Sequence, residues 1–348
     1  MRIWKTPSAR KLRNHPSLAL WAGDNECDEA AKWNRYNPDP NRNTLTRKIL
    51  PDVIRQEDFT RPYLPSSPYT DSDAFRTHGC LPEDHLWGPR DCFKSDYYRT
   101  SPAHFASEIG YHGCPSPKSL EQFISPENLY PFLSADGTAN EDWLCHASGV
   151  VRGMKGPYAY RIPLMKNQVV TMFGETVPDR LSDFAKASQI SQAEALKFFI
   201  EHFRVAKWRR TGIIWWNLLD GWPQMSDAVV DYFYRKKLAY SYIKRSQAPV
   251  ALMVREMAAW NYTLVAANDT LHPVDGTYRV TDIATGECFG EGVFHVDANT
   301  CTDLQKIRMM YSDQRMLLIE WTIDGQKSYN HYLCGFPAFS LEPYTEWL

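Results

Sequence analysis

The sequence predicts a mixed α/β region over residues 1–246 and an all-β region over residues 247–348. Two observations separate these regions. In the first, short apolar runs alternate with helical segments, which is typical of a parallel sheet covered by helices. In the second, apolar and polar residues alternate with period two, which is typical of half-buried antiparallel strands. The chain has 348 residues, enough for two domains with separate hydrophobic cores.

Five short apolar runs predict buried strands in the first region. They lie near Leu18–Trp21, Pro62–Leu64, His85–Trp87, His104–Ser107 and Ile213–Trp216. A closed (β/α)₈ barrel needs eight strands, and each βα unit takes about 30 residues. Three further units do not fit before the first predicted strand. We therefore expect an incomplete TIM barrel that contains strands four to eight.

The clearest helical unit of the first region follows a capping-box pattern. Ser191 and Glu194 have the spacing of that motif, which predicts a helix N-terminus at this point. Apolar residues then recur at helical spacing at Leu196, Phe199, Ile200 and Phe203. Thr211-Gly212 is expected to end the segment. A second helical stretch is predicted through Tyr232, Tyr240 and Ile243, closed by Pro249.

The all-β region contains a strong hairpin signal. Asp324-Gly325 separates the alternating run Leu317–Ile323 from the run Lys327–Leu333, and Asp-Gly is a favoured two-residue hairpin turn. Thr277–Val280 alternates in the same way. About 100 residues of short strands without a helix predict an immunoglobulin-like β-sandwich over residues 247–348.

Composition excludes several classes of protein. The formal net charge is −2 with both signs interspersed, which argues against a nucleic-acid partner. There is neither an apolar run of membrane-spanning length nor a signal peptide, so a cytoplasmic location is the default expectation. Aromatic residues make 14% of the chain. They fit either large hydrophobic cores or a site whose aromatic walls stack on sugars.

Cysteine and histidine spacing does not predict a metal centre. The eight cysteines are too sparse for a disulfide scaffold, so reduced thiols are expected. His78, Cys80, His85 and Cys92 form a cluster with donor atoms that metals use, but their spacing fits no zinc pattern. We therefore predict neither a metal nor a cofactor.

Two segments place a carboxylate directly after a predicted strand. The run from His15 to Glu26 ends in Gly-Asp-Asn-Glu, and the run from His104 to Gly110 contains Glu108 next to a glycine. Active sites of parallel barrels are built at this end of the strands. Two carboxyl groups about 5 Å apart hydrolyse glycosidic bonds with retention. A structural alternative stays open, since these carboxylates are also suited to a helix N-terminus or an ion pair.

The same segments resemble a known family. RNHPSLALWAGDNE is similar to the acid/base segment of the β-mannosidase branch of glycoside hydrolase family 2, and HFASEIGYHGCPS is similar to its nucleophile segment. Further similar segments follow in the family's order: Arg61–Pro68, Asp84–Trp87, Trp216–Pro223, Asp231-Tyr232 and Lys237–Tyr240. The resemblance spans residues 13–245 and continues more weakly at Ala267–Thr270.

The resemblance implies a function and a set of site residues. It implies hydrolysis of terminal β-D-mannosides with retention, with Glu26 as the acid/base and Glu108 as the nucleophile. It also implies that Asn25 binds the sugar 2-hydroxyl. The other substrate-binding residues that it implies are Trp21, His85, Trp87 and Trp216, with Asp220 in a supporting position. No metal is required.

Departures from the family pattern leave the sugar open. Asp24 and Leu219 stand where the family usually has asparagine, and Ile109 and Leu86 replace a common phenylalanine and tyrosine. A β-galactosidase or β-glucuronidase of the same family is the sibling interpretation. Trp87 and Trp216 also suit core or rim packing.

In the family, two domains and three barrel strands precede the part that this chain resembles. We therefore expect a truncated product with an incomplete sugar pocket. Such a chain either depends on a missing N-terminal half or self-association, or is a catalytically inactive carbohydrate-binding remnant.

Overall fold

The computed structural model describes residues 6–28, 39–69, 82–151, 153–174 and 176–346. The chain divides into two compact units. The first unit comprises Met1–Leu86, Pro102–Ile109 and Gly212–Ile214, and the second comprises Trp87–Ser101, Gly110–Thr211 and Trp215–Leu348. In the described part of the chain, no helix combines the length and the apolar character needed to cross a membrane.

Parallel strand pairs and short helices build the first unit. Trp21–Ala22 pairs in parallel with Tyr63–Leu64. Glu83–Leu86 pairs in parallel with Phe105–Gly110, which Gly212–Trp216 extends to a three-stranded sheet. The helical segments are Thr6–Leu12, the 3₁₀ turn Pro40–Arg42, the π-helical turn Leu45–Ile49 and its continuation Leu50–Glu57. Residues that follow parallel strands emerge at one edge of a sheet, which is where sites form.

All five predicted strands of the first region are present, with shifted boundaries, but they do not form a closed barrel among the described residues. The expectation that these strands are buried is wrong for the first and the last of the five. Leu20 is 46% exposed, and Ile214 and Trp216 are 54% and 47% exposed. Sheets of two and three strands leave apolar faces uncovered, so an apolar run alone does not establish burial.

The helices of the second unit pack around one long helix, Leu181–Arg204. Arg161–Phe173 and Leu238–Ser246 lie against it. Shorter elements are the helices Asp96–Arg99, Pro117–Leu120 and Glu141–Cys145, the 3₁₀ turn Pro126–Asn128, and the paired strands Val150–Val151 and Met154–Lys155.

The predicted capping box is wrong. Ser191 and Glu194 lie in the middle of the long helix, which begins at Leu181 and ends at Arg204, well before Thr211-Gly212. Both residues are buried. Glu194 instead accepts a hydrogen bond from Nε2 of His331, at 2.6 Å. In mid-helix the backbone N–H groups are already bonded to carbonyl groups one turn earlier, so no donor is left for a cap.

Seven antiparallel strands form two sheets at the end of the second unit. One sheet has the order Thr300–Arg308, Asn261–Asn268, Val250–Ala258. The other has the order Cys288–Val296, Val274–Asp282, Arg315–Ile323, Gln326–Cys334. Leu252 and Leu264 from the first sheet share a buried core with Val280 and Ile319 from the second.

The hairpin predicted at Asp324-Gly325 is confirmed. Arg315–Ile323 pairs in antiparallel fashion with Gln326–Cys334, and both turn residues have positive φ angles, 47° and 76°. Two positive φ angles are what a type I′ turn requires.

The absence of a helix from residues 247–348 was a wrong expectation, because Leu341–Glu346 is helical. Tyr344 on this helix is buried, and its hydroxyl lies 3.0 Å from that of Tyr242 and donates to Glu194. The segment was missed because the period-two pattern ends before it and the helix itself is short.

Candidate functional site

Glu26 lies in a turn whose backbone is fixed by the neighbouring strand end. The N–H of Glu26 donates to the carbonyl of Ser67 at 2.7 Å, and the N–H of Ser67 donates to the carbonyl of Asp24 at 3.1 Å. Glu26 has a φ of 60°, in the left-handed region that few non-glycine residues adopt. The two hydrogen bonds to Ser67 hold this conformation.

A buried hydroxyl ties both sides of that turn together. Ser66 Oγ donates to Asp24 Oδ1 at 2.6 Å and accepts from the N–H of Asp28 at 3.4 Å, and Ser66 is fully buried. Arg47 binds both carboxylate oxygens of Asp28, at 2.8 and 2.7 Å. We call Ser66, Asp24 and Asp28 the Ser66 clamp. It brackets Glu26 from residues on either side in the chain.

The Asp24 side chain also explains one departure from the family pattern. Its Oδ1 accepts from Ser66 and its Oδ2 accepts from Asn43 Nδ2 at 3.3 Å. A carboxylate accepts at both oxygens, whereas an asparagine side chain would present a donor to one of these two groups. Asp24 therefore suits its partners in this chain.

Glu108 is placed by strand register. It lies in the strand Phe105–Gly110, and His85 stands directly opposite it on the parallel neighbour Glu83–Leu86. The Glu108 side chain is 11% exposed and that of His85 is 5% exposed. The pair is thus held in a largely dry setting at the end of the sheet.

His85 joins the two predicted carboxylates. Its Nδ1 lies 2.8 Å from Glu26 Oε1 and 3.2 Å from Glu108 Oε2. One donor atom from each of the three side chains lies within 4.8 Å of the other two. The Glu26 side chain is 46% exposed, so one carboxylate of the pair faces solvent while the other is buried. We call Glu26, His85 and Glu108 the central triad.

The second ring nitrogen of His85 defines its protonation state. Nε2 lies 3.1 Å from Ser67 Oγ, and that hydroxyl donates its proton to Glu83 at 3.1 Å. The hydroxyl is thereby placed to accept from Nε2–H while Nδ1–H faces the carboxylates, which is the arrangement of a doubly protonated ring. Burial lowers the pKa of His85, but its hydrogen bonds with Glu108 and Glu26 outweigh that effect and raise the pKa above its usual value.

Four residues around the candidate site were missed by sequence reasoning: Ser66, Ser67, Glu83 and Arg47. Ser66 and Ser67 directly follow the strand Tyr63–Leu64, and Glu83 begins the strand that carries His85. The hydroxyl of Ser107 also donates to Glu83. Polar residues at the ends of parallel strands were the available signal.

The remaining predicted residues of the first unit have separate surroundings. Trp21 is half-buried, and its indole Nε1 donates to Asp58 at 2.9 Å. Asn25 is exposed and forms a parallel bridge with Ser67. His78 and Cys80 of the cysteine-histidine cluster lie outside the described residues, and all seven described cysteines are free.

In the second unit, Trp87 packs against the backbone of Gly110. A Cβ at Gly110 would lie 2.6 Å from Trp87 Cη2 and 2.7 Å from the carbonyl oxygen of Trp216. The Arg90 guanidinium lies over the Trp87 ring at 4.9 Å. Glycine is therefore the residue type that fits at position 110. Trp87 is held between the Gly110 backbone and the Arg90 guanidinium. The side chain of Trp216 is exposed.

Asp220 is buried in a separate polar network. It accepts from Gln224 Nε2 at 2.8 Å and from Ser226 Oγ at 2.5 Å. Burial is the largest effect on its carboxyl group and raises its pKa. Its Oδ2 has no hydrogen-bond partner among the described residues.

The central triad is suited to two kinds of chemistry. A solvent-facing carboxylate and a buried one within 4.8 Å have the separation that retaining glycoside hydrolysis needs. One imidazole nitrogen and two carboxylate oxygens are also donors that transition metals accept. The first chemistry uses the carboxylates directly, and the second uses all three side chains as ligands.

Comparisons with known proteins identify relatives of similar sequence. The chain is 27% identical over 309 residues to β-mannosidase B of Thermothelomyces thermophilus, covering 80% of this chain and 32% of that protein. It is 26% identical over 362 residues to β-mannosidase B of Neosartorya fischeri, covering 92% and 40%. The chain thus spans about a third to two fifths of the length of these relatives. No family model matches it.

Solved structures of similar fold are also found. A β-D-mannosidase from Dictyoglomus thermophilum superposes with a TM-score of 0.78 at 22% identity, over 97% of this chain and 41% of that one. An exo-chitosanase from Amycolatopsis orientalis superposes with a TM-score of 0.65 at 17% identity, over 96% and 38%. At these identities the likeness establishes a shared fold.

Proposed function

We propose that this chain is a β-mannosidase-like member of glycoside hydrolase family 2 and that it carries both catalytic carboxylates of a retaining β-mannosidase, as its similarity to β-mannosidases supports. The observation that carries the proposal is the central triad. Glu26 lies in a turn and Glu108 within the strand Phe105–Gly110, yet one oxygen of each lies within 4.8 Å of the other. That separation suits double displacement, whereas inverting enzymes need room for a water between the carboxylates.

The exposures of the two carboxylates support their assignment to different steps. Glu108 is buried and lacks free access to water, as suits a nucleophile that attacks the anomeric carbon and forms a glycosyl-enzyme ester. Glu26 is nearly half exposed, as suits a group that protonates the departing oxygen. In the second step Glu26 removes a proton from a water molecule, and the water oxygen displaces Glu108 from the sugar. Glu26 is then protonated and Glu108 is again a carboxylate, as at the start.

His85 has a positioning role in this mechanism. Its Nδ1–H faces both carboxylates and its Nε2–H is held by Ser67. A positive imidazolium between them offsets the repulsion of two like charges. By the resemblance, Asn25 would bind the sugar 2-hydroxyl. The resemblance also assigns Trp21, Trp87 and Trp216 to substrate binding, with Asp220 in a supporting position.

We propose the following domain organisation. The five strands of the first region correspond to strands four to eight of a (β/α)₈ barrel over residues 1–246, followed by an immunoglobulin-like sandwich over residues 247–348. The TM-score of 0.78 against a β-D-mannosidase supports this interpretation. So does the strand order of the two terminal sheets, which differs from the constant-type order only in that the fourth strand pairs with the third.

A panel of aryl β-glycosides tests the function. The chain is compared with Glu26→Gln and Glu108→Gln, and with Glu291→Gln, an exposed glutamate of the sandwich, as the matched control. We expect turnover of the mannoside that Glu108→Gln abolishes and Glu291→Gln leaves unchanged. With substrates whose leaving group needs no protonation, Glu26→Gln should keep the first step, seen as a nearly unchanged kcat/KM, but should slow the second step, in which Glu26 is the base.

Two outcomes would contradict the proposal. Preference for a galactoside or glucuronide would assign the sibling activity. Turnover of no glycoside would refute hydrolysis by this chain. Calorimetric binding of mannobiose without turnover would then support the carbohydrate-binding alternative.

A further inference from the structure

We propose that the central triad is also a binding site for one divalent transition-metal ion such as Zn²⁺, and that the bound ion excludes the glycoside. The donor set is mixed: an imidazole nitrogen from His85 and carboxylate oxygens from Glu26 and Glu108. These donors come from three separate segments and converge to within 4.8 Å. Zn²⁺ accepts this combination, whereas Mg²⁺ and Ca²⁺ prefer oxygen ligands alone.

The distances are close to those of a tetrahedral centre. Zn–N and Zn–O bonds of about 2.0–2.1 Å place neighbouring ligand atoms about 3.3–3.4 Å apart. The Nδ1 atom of His85 lies 2.8 and 3.2 Å from the two carboxylate oxygens, so these two pairs of ligand atoms must separate by only a few tenths of an ångström. The two carboxylate oxygens lie within 4.8 Å of each other and must close to about 3.4 Å around the ion. Glu26 is the partly exposed member, and its side chain has room to make that adjustment.

A second layer of contacts orients the imidazole as a ligand. Metal-bound histidines normally donate the other ring N–H to a neighbouring group. Here Nε2 is held by Ser67 Oγ, which is held in turn by Glu83. The ring therefore keeps Nδ1 aimed at the carboxylates. An incoming ion takes the place of the Nδ1 proton, which leaves to solvent.

Charge and access favour a divalent cation at this position. Two carboxylates and a neutral imidazole carry two negative charges, which a divalent ion neutralises. Glu26 opens the site to solvent, so the fourth coordination position would hold water. With both carboxylate groups bound to the ion, neither attack nor proton transfer can proceed. This inhibitory consequence rests on the proposed function, but metal binding itself does not.

Isothermal titration of the whole chain with Zn²⁺ tests binding without reference to activity. We expect one ion per chain and at least a tenfold weaker affinity in His85→Gln and in Glu26→Gln. The second variant changes a partly exposed side chain and guards against misfolding. His295→Gln is the matched control, because His295 contacts Asp275 and Asp297 on the exposed surface through different ring nitrogens.

Binding that is unchanged in both triad variants, or lost in His295→Gln, would overturn the inference, as would the absence of stoichiometric binding. Hydrolysis is measured separately. Zn²⁺ binding by a chain without turnover would support the metal site and refute the proposed function. A chain that hydrolyses the mannoside but neither binds Zn²⁺ nor is inhibited by it would refute the metal site alone. With both present, Zn²⁺ should inhibit competitively with the mannoside.

Discussion

Replacing Ser66 by alanine should impair the acid/base more than the nucleophile. Ser66 Oγ contacts residues on both sides of Glu26, through the Asp24 carboxylate at 2.6 Å and the Asp28 N–H at 3.4 Å. Ser66 is fully buried, so water does not readily replace the lost hydroxyl. Without the Ser66 clamp, the turn that holds Glu26 at a φ of 60° can relax to other backbone conformations.

The size of the effect follows from the charged partner. A hydrogen bond to a charged group contributes about 1.5–3 kcal/mol. If about 2 kcal/mol of that stabilises the productive turn over relaxed conformers, the productive fraction falls by up to about 30-fold. The Ser67 backbone bonds to Asp24 and Glu26 remain, so the fold itself should persist.

The assay compares kcat/KM for aryl mannosides whose leaving groups differ in pKa. Substrates with poor leaving groups need protonation by Glu26 and should lose about 10- to 30-fold. A dinitrophenyl mannoside, whose leaving group departs without a proton, should keep nearly the wild-type kcat/KM, because that ratio reports the first step. Ser134→Ala is the matched control, since Ser134 makes the same type of bond to Asp136, at 2.5 Å, on the exposed surface.

An equal loss for every leaving group would refute the reasoning, because it would indicate general damage rather than a misplaced acid. An unchanged rate for the poorest leaving group would show that the Ser67 bonds alone position Glu26.

Three further predictions concern stability and metal dependence. Gly110→Ala should lower the free energy of unfolding by about 1–3 kcal/mol, since its Cβ would lie 2.6 Å from Trp87, whereas Gly221→Ala, with nothing within 4 Å, should be tolerated in urea titrations. Burial raises the pKa of Glu194, but His331 outweighs it and brings the pKa from 4.5 to about 2. Glu194 therefore stabilises the fold above about pH 4.5. Glu194→Gln should cost about 3 kcal/mol at neutral pH, and urea titrations should show that cost shrinking as the pH falls toward 2; a constant difference would contradict this explanation. Treatment with EDTA should not reduce mannoside hydrolysis, and a loss restored by a metal ion would argue against carboxylate-only catalysis.

Local sequence determined much of the secondary structure. Asp324-Gly325 specified its hairpin because the two residues tolerate the positive φ angles of the turn, whatever the rest of the chain does. The five strands of the first region were located because apolar runs and the polar residues that end them are properties of consecutive residues. The same reasoning predicted Glu26 and Glu108 directly after separate strands, but Glu108 lies within its strand, Phe105–Gly110, because the strand continues two residues beyond the glutamate.

Tertiary structure alone decided how these elements meet. His85 and Glu26 are 59 positions apart, and no local pattern records that one imidazole lies between the two carboxylates. The Ser66 clamp depends on a strand pairing. The capping-box pattern at Ser191 failed because Glu194 bonds to His331, 137 positions away in the chain. Periodicity reports which residues are apolar, but burial depends on what packs against them, as the exposed Ile214 shows. Backbone preferences act between neighbours in the chain, whereas hydrogen bonds and burial act between neighbours in space.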